Sequence, residues 1–397
     1  MPGKAKLTKR EMGEKVSSRV RRVSPSGIRR FFDLVMGMED VISLGVGEPD
    51  FVTPWHIREA SMYALERGYT MYTSNWGMLE LREEIARHLK KEYRVGYDPE
   101  KEILVTVGVS EGFDLSVRAV TEPGDEIVIP EPSYVSYKPC TFLAGGDPIP
   151  VVTRVDDSFR VRPEEMEEAI TDRTKAMVLN YPNNPTGATM SKGELEGIAR
   201  VAEAHDLLVI SDEVYDKLTY DGRHTCFASL DGMKERTILL NGFSKAYAMT
   251  GWRIGYACGD PEIIEGLMKI HQYSMLCAPI TGQMAGIEAL RHGQREMKEM
   301  VKKYDRRRKV IVKRLNDMGL ACFEPKGAFY AFPSISSTGL SSEEFAEDLL
   351  KKEGVAVVPG NAFGSSGEGF IRCSYAASLE EINTAMDRVE KFLGGLD

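Results

Sequence analysis

Two short segments carry the residue types from which covalent chemistry can be built: Gly242-Phe243-Ser244-Lys245 and Gly251-Trp252-Arg253-Ile254-Gly255. A lysine that condenses with a carbonyl must spend part of its time uncharged, and burial or cationic neighbours achieve this by disfavouring the ammonium form. The hydroxyl of Ser244 precedes the lysine, and Arg253 follows eight residues later between two glycines. A small hydroxyl and a planar guanidinium suit a phosphate dianion, and glycines let backbone approach closely. The pair therefore reads as an aldehyde-capturing amine beside an anion clamp.

Four further segments extend that reading. The apolar run Leu207–Ile210 ends in Ser211-Asp212, the pattern of a buried parallel strand that delivers a carboxylate at its carboxyl end, where open α/β sheets bind ligands. A carboxylate there keeps a pyridine nitrogen protonated, and Tyr215 is spaced to donate to a phenolic oxygen on the same ring. Asn180-Tyr181-Pro182-Asn183-Asn184-Pro185-Thr186-Gly187 makes a rigid turn, in which the neutral amide of Asn184 offers both donor and acceptor. Val105–Gly112 runs from strand into helix, so the amides of Val109 and Ser110 form an anion site at a helix start. Tyr134 is a candidate ring-stacking aromatic. Arg372, within the apolar strand Phe370–Tyr375, needs a partner such as a substrate carboxylate. Singly, each has an ordinary structural reading: a helix cap for Asp212, a core ring for Tyr134, an internal ion pair for Arg372. Together they describe a site for pyridoxal 5′-phosphate.

In this order and over nearly its whole length the sequence resembles the fold-type I, class I/II aminotransferases of the aspartate aminotransferase superfamily. Further residues carrying the likeness are Gly47-Glu48-Pro49-Asp50-Phe51 and Tyr72 before Gly77. The resemblance implies Lys245 as the lysine joined to the cofactor, Asp212 at the pyridine nitrogen, and Asn184 and Tyr215 at the phenolic oxygen. It implies phosphate contacts from Val109, Ser110, Ser244 and Arg253, with Tyr72 reaching in from the partner of a homodimer. Gly47 and Arg372 would hold the substrate α-carboxylate, and Tyr134 stands where many relatives carry tryptophan. The implied fold is an α/β large domain with a mostly parallel seven-stranded sheet flanked by helices (residues 49–295). A smaller α+β domain with an N-terminal arm takes residues 1–48 and 296–397.

The implied activity moves an amino group from an L-amino acid to a 2-oxo acid such as 2-oxoglutarate by a ping-pong mechanism. Ser26-Gly27-Ile28-Arg29-Arg30 and Lys326-Gly327-Ala328-Phe329-Tyr330 look most like archaeal aromatic aminotransferases, and the uncharged Tyr273–Cys277 segment favours an aromatic or apolar donor. Aspartate or broad specificity remains open, as does a β-elimination or C–S lyase on the same scaffold. A regulatory protein on this fold would carry a DNA-binding domain, for which the residues before Gly47 are too few.

Composition sets the frame. The chain has 397 residues, 42% of them hydrophobic, enough for sizeable cores. Its net charge of −9 argues against nucleic-acid binding. Six cysteines without a Cys-x-x-Cys pair suit a reducing, cytoplasmic compartment, and the six histidines have no metal-ligand spacing. No apolar run reaches membrane-spanning length. The basic stretch from Lys4 to Arg30 reads as a solvated leader and a helix packing on a partner subunit. Short strands alternate with amphipathic helices from Glu102 to Ala257, a long charged helix follows His292, and strands are expected near Ala328–Phe332, Val355–Val358 and Phe370–Cys373. Gly364-Ser365-Ser366-Gly367 reads as a mobile loop.

Overall fold

The computed structural model describes residues 13–25, 27, 38 and 40–396. Strands are numbered in chain order: β1 (Ile42–Ser43), β2 (Ile103–Thr106), β3 (Glu126–Glu131), β4 (Asp147–Val152), β5 (Thr174–Asn180), β6 (Leu208–Asp212), β7 (Thr237–Gly242) and β8 (Gly255–Cys258). Then come β9 (Tyr330–Ala331), β10 (Val355–Ala356), β11 (Val358–Pro359) and β12 (Ile371–Ser374). Among the described residues seven strands form one sheet in the order β2-β8-β7-β6-β5-β3-β4. All neighbours run parallel except β8, which is antiparallel to both β2 and β7.

Side-chain alternation explains why this sheet needs cover on both faces. Ile127, Ile129, Ala176, Val178 and Ile210 pack with Phe113 and Leu267 of the helices Val109–Val120 and Pro261–Ser274. Val128, Met177, Leu179 and Val209, the residues between them, face Leu195 and Ile198 of the helix Lys192–Ala204. Parallel strands place their carboxyl ends on one edge, so the loops after β5, β6 and β7 converge there.

The remaining strands are short. β11, β12 and β9 make an antiparallel sheet, and β1 pairs in parallel with β10, so residues before Gly47 join a sheet from the far end of the chain. The expected charged helix is Gln294–Asp317; Gly293 separates it from Ile280–His292. Its Arg307 grips Asp50 with two bonds of 2.7 Å and so anchors the Gly47–Phe51 segment. Among the described residues three helices begin with a Ser-x-x-Glu box in which serine and glutamate satisfy each other's backbone: Ser191/Glu194, Ser341/Glu344 and Ser378/Glu381.

One expectation changes, and another is met only in part by the described residues. Gly364–Gly367 is a packed turn, not a mobile loop: Ser365–Gly367 forms a 3-10 turn, and Ser366 N donates to the buried carboxylate of Glu131 at 3.0 Å. The basic N-terminal stretch falls partly outside the described residues, which hold none of Lys4, Arg29 and Arg30. Its helix Ser18–Arg22 lies on its own chain, with Arg19 donating to the Leu143 carbonyl at 3.2 Å and Arg22 over the Phe142 ring.

Candidate active site

The convergent loops enclose a cavity of about 350 Å³ lined by Gly47, Val109, Ser110, Tyr134, Asn184, Asp212, Tyr215, Ser244, Lys245, Arg253 and Arg372. Eleven of the twelve residues singled out in the sequence thus meet in one place. A larger cavity of about 410 Å³ lies behind β6 and holds none of them. The twelfth, Tyr72, is 79% exposed and lies outside the cavity of its own chain. The Tyr273–Cys277 segment also does not line it; Leu276 instead accepts from Asn75 Nδ2 at 2.6 Å.

Lys245 follows the end of β7 and donates from Nζ to the Gly47 carbonyl at 2.6 Å. Burial, then the nearby Arg372 guanidinium, lowers its pKa from the usual 10.5 to about 8, so a neutral fraction exists near neutral pH. Asp212 ends β6 and is 4% exposed. Burial raises its pKa to about 6, against two hydrogen bonds that favour the anion: Tyr137 Oη to Oδ2 at 2.6 Å and Val214 N to Oδ1 at 3.1 Å. Arg372 is 2% exposed, donates to Asn184 Oδ1 at 2.8 Å and to the Gly45 carbonyl at 2.6 Å, and lies against the Tyr330 and Phe363 rings. Its buried Nε has no partner. Among the described residues neither Asp212 nor Arg372 makes an ion pair, although isolated buried charges are costly.

At the other end, the helix Val109–Val120 starts at Gly108 with no side-chain cap, leaving its first N–H groups open to an anion beside Ser110, Ser244 and Arg253. Arg253 has a left-handed backbone, φ +55°, held by its guanidinium donating to the Thr250 carbonyl at 2.9 Å. The two glycines differ in their surroundings. A Cβ on Gly255 would sit 2.7 Å from the backbone of Gly108 and Val109, so Gly255 lets β8 reach the helix start, whereas Gly251 has open space.

The geometry sets an amine, a buried carboxylate and an anion clamp around one cavity, and comparison with known proteins says what that combination is. The family model for aminotransferases of class I and II matches residues 39–389. The chain belongs to that family. It is similar to an aspartate aminotransferase of Pyrococcus abyssi (50% identical, covering 95% of this chain and 98% of the relative). It is also similar to aromatic-amino-acid aminotransferase 2 of Thermococcus litoralis (47% identical, covering 95% and 98%). The crystal structure of an aromatic aminotransferase from Pyrococcus horikoshii superposes with a TM-score of 0.88 at 48% identity, covering 92% of this chain and 98% of that one.

Class I and II aminotransferases are transaminases that use pyridoxal 5′-phosphate, and the residues present fit that group. A buried carboxylate with no ion pair among the described residues, an uncapped helix start beside a serine and an arginine, and a lysine of lowered pKa match its ring nitrogen, phosphate and aldehyde in turn. No helix among the described residues is long and apolar enough to cross a membrane.

Other side chains at the cavity were given no role by the sequence. Tyr137 bonds Asp212 from 75 positions away, and Tyr330 shares a 2.7 Å hydrogen bond with Tyr215 across 115. Asn180 ties the turn together, accepting from Asn184 N at 3.1 Å and donating to the Asp212 carbonyl at 3.1 Å. Glu48 pulls the Lys245 pKa upward, against burial. One signal existed for Tyr137: it lies three residues after Tyr134, the spacing that brings two side chains to one side of a helical turn. Asn184 spends its carbonyl oxygen on Arg372, leaving its NH2 group as the free donor.

Proposed function

We propose that this aminotransferase takes an amino group from an L-amino acid, aromatic side chains favoured, and passes it to a 2-oxo acid such as 2-oxoglutarate. The two half-reactions share one cavity in a ping-pong sequence. The observation that carries this reading is Arg372: a buried guanidinium with no carboxylate partner among the described residues and an orphaned Nε, beside the amine of Lys245.

When bound, pyridoxal 5′-phosphate supplies an aldehyde that condenses with amines and a protonated ring that accepts the electron pair left at the substrate α-carbon. Val109, Ser110, Ser244 and Arg253 would hold its phosphate. Asp212 would pair with the ring nitrogen and keep it protonated, Asn184 and Tyr215 would donate to the phenolic oxygen, and Tyr134 would stack on the ring. Arg372, with the Gly47 backbone, orients the α-carboxylate so that the α-hydrogen faces Lys245. Lys245 Nζ, neutral in part because of its lowered pKa, would be the base that takes that proton from the α-carbon. Tyr137 keeps Asp212 anionic. Tyr137→Phe should raise the Asp212 pKa above about 6 and weaken cofactor binding about tenfold at pH 6, with less effect at pH 8. Cofactor titration of the apo-protein at the two pH values reads this directly, and equal loss at both contradicts it.

The donor preference follows from counting cations. Among the described residues lining the cavity, the cations are Lys245, Arg253 and Arg372. With Arg253 on phosphate and Arg372 on the α-carboxylate, none remains for a second carboxylate, while Phe113, Tyr134, Tyr137 and Tyr330 provide aromatic walls. The named relatives divide between aspartate and aromatic donors, so likeness alone does not choose. Titrating the holoenzyme with phenylalanine and, separately, aspartate in the absence of oxo acid tests the choice. Phenylalanine should convert the cofactor to its amine form at a concentration about tenfold lower, as absorbance reads it. Preference for aspartate overturns the aromatic reading; release of ammonia or a thiol points to a lyase.

The same reading takes the protein as a cytoplasmic homodimer. Tyr72 and Tyr273 are 79% and 89% exposed, with Trp55, Met71 and Met275 also exposed, an apolar surface that suits a second copy. Tyr72 would then reach the partner's cavity. The six cysteines are all free, as in a reducing compartment. Residues 49–295 serve as the cofactor-binding domain, and 1–48 with 296–397 as the smaller one.

A further inference from the structure

Glu131 is the last residue of β3, and its side chain is 1% exposed. It does not line the active-site cavity. A buried carboxylate is tolerated only when its charge is paired and its oxygens are hydrogen-bonded. The groups that satisfy Glu131 come from two distant parts of the chain. Lys138, seven residues on, forms an ion pair with Oε2. Ser366 N and Ser365 Oγ, more than 230 residues away, donate to Oε1 at 3.0 and 3.2 Å. A parallel strut lies next to it, where Ser133 N donates to the Phe363 carbonyl at 3.0 Å.

The turn that receives Glu131 is shaped for it. Gly364 has φ +126°, and a Cβ there would occupy the position of the Glu131 carboxyl group. Gly360 and Gly367 approach each other so closely that neither admits a side chain. Phe363 sits inside this turn, 2% exposed, with its ring 4.8 Å from the Arg372 guanidinium. Asn184 and the Gly45 carbonyl hold Arg372 from one side by hydrogen bonds, and the Phe363 and Tyr330 rings bound it by stacking. The position of one of those two rings therefore depends on the turn.

We propose that Glu131 is a positioning residue for substrate: it latches the 360–367 turn to the end of β3, and so holds Phe363 where it keeps the Arg372 guanidinium set for a carboxylate. The inference rests on the reading of Arg372 as the α-carboxylate site. It separates substrate binding from cofactor binding, because among the described residues no hydrogen bond or ion pair joins Glu131, Lys138, Ser365 or Ser366 to Ser244, Arg253 or Asp212. Loosening the latch leaves Ser244, Arg253 and Asp212 in place and acts first on the contact made by incoming carboxylates.

The test uses holoenzyme and 3-phenylpropionate, an unreactive carboxylate without an amine, titrated by the absorbance of the bound cofactor. Donor kcat and KM, the cofactor dissociation constant and the Tm are measured beside it. Ser365→Ala, which removes one donor from an exposed position, should weaken 3-phenylpropionate and raise donor KM about threefold; Glu131→Ala should do so at least about tenfold. Glu131→Gln, which keeps an acceptor for Ser366 N, should recover part of that loss. In all three, kcat and cofactor affinity should stay within about twofold, since an interaction made equally in ground and transition states moves KM alone. Unchanged carboxylate affinity in Ser365→Ala and Glu131→Gln overturns the latch. So does a parallel fall in carboxylate affinity, cofactor affinity and Tm, which marks a general brace. Arg372→Lys is the control: if it weakens 3-phenylpropionate and the latch variants do not, the latch alone fails; if it has no effect, the carboxylate reading falls and the latch with it.

Discussion

Replacing Lys245 by alanine is expected to lower kcat by at least about 10⁴-fold, because in the proposed mechanism one amine both engages the cofactor carbonyl and moves the α-proton, and positioned acid–base groups alone contribute about 10²–10⁴. Cofactor should still bind, since Asp212 and the phosphate clamp stay intact, and its absorbance on the variant checks this. Turnover within about a hundredfold of the parent would remove Lys245 from the mechanism. A second readout needs no cofactor. Burial lowers the lysine pKa to about 8, against 10.5 when exposed, so the folded apo-protein disfavours the charged form. That cost is complete below pH 8 and disappears as pH rises toward 10.5. Apo Lys245→Ala should therefore compare best with its parent in Tm at pH 7 and lose that relative gain by pH 10. A Tm difference independent of pH would mean the amine is not desolvated in the folded chain.

The site was legible wherever chemistry and topology coincide. Asp212 at the end of β6, Asn184 after β5 and Ser244-Lys245 after β7 stand in sequence at the ends of apolar runs, and parallel strands bring such ends together. Side chains that act by contact with another element left no such trace. Nothing in Phe329-Tyr330 says that its hydroxyl will meet Tyr215, and nothing in Glu131-Pro132 says that a carboxylate will be buried under Ser365-Ser366. The composition of Gly364–Gly367 reads as looseness because glycine and serine favour turns, yet here glycine makes room for a buried group. Tyr72, expected at a partner's cavity, lies exposed and outside the cavity of its own chain, and Tyr273–Cys277, read as favouring an apolar donor, also lies outside it.

The second large effect is expected at Asp212, where function and stability oppose each other. Asp212→Asn keeps the shape and one acceptor for Tyr137 but removes the charge that holds a ring nitrogen protonated. Loss of a preorganised charge aimed at developing charge costs about 10²–10³-fold in kcat, roughly 3–4 kcal/mol, and the variant should fall in that range or below. The apo-protein should respond in the opposite sense. Burial, outweighing the Tyr137 and Val214 bonds, lifts the carboxyl pKa from 3.8 to about 6, so the folded chain binds the proton more tightly than the unfolded one. The folded state thus gains stability as pH falls from about 6 toward 4, and above pH 6 it bears the whole cost of an unpaired buried anion. An amide carries no such cost. Apo Asp212→Asn should therefore match or exceed its parent in Tm at pH 8, and the difference should narrow as pH drops below 5. Added cofactor should reverse the order, since only the parent offers an anion to a protonated ring and binding to the folded state alone raises Tm by mass action. Thermal melts of both proteins, with and without cofactor at pH 5 and pH 8, give the four differences required. A parent apo-protein more stable than the variant at pH 8 would show that Asp212 is satisfied without a ligand, and would remove the argument that its unpaired charge is what receives the ring.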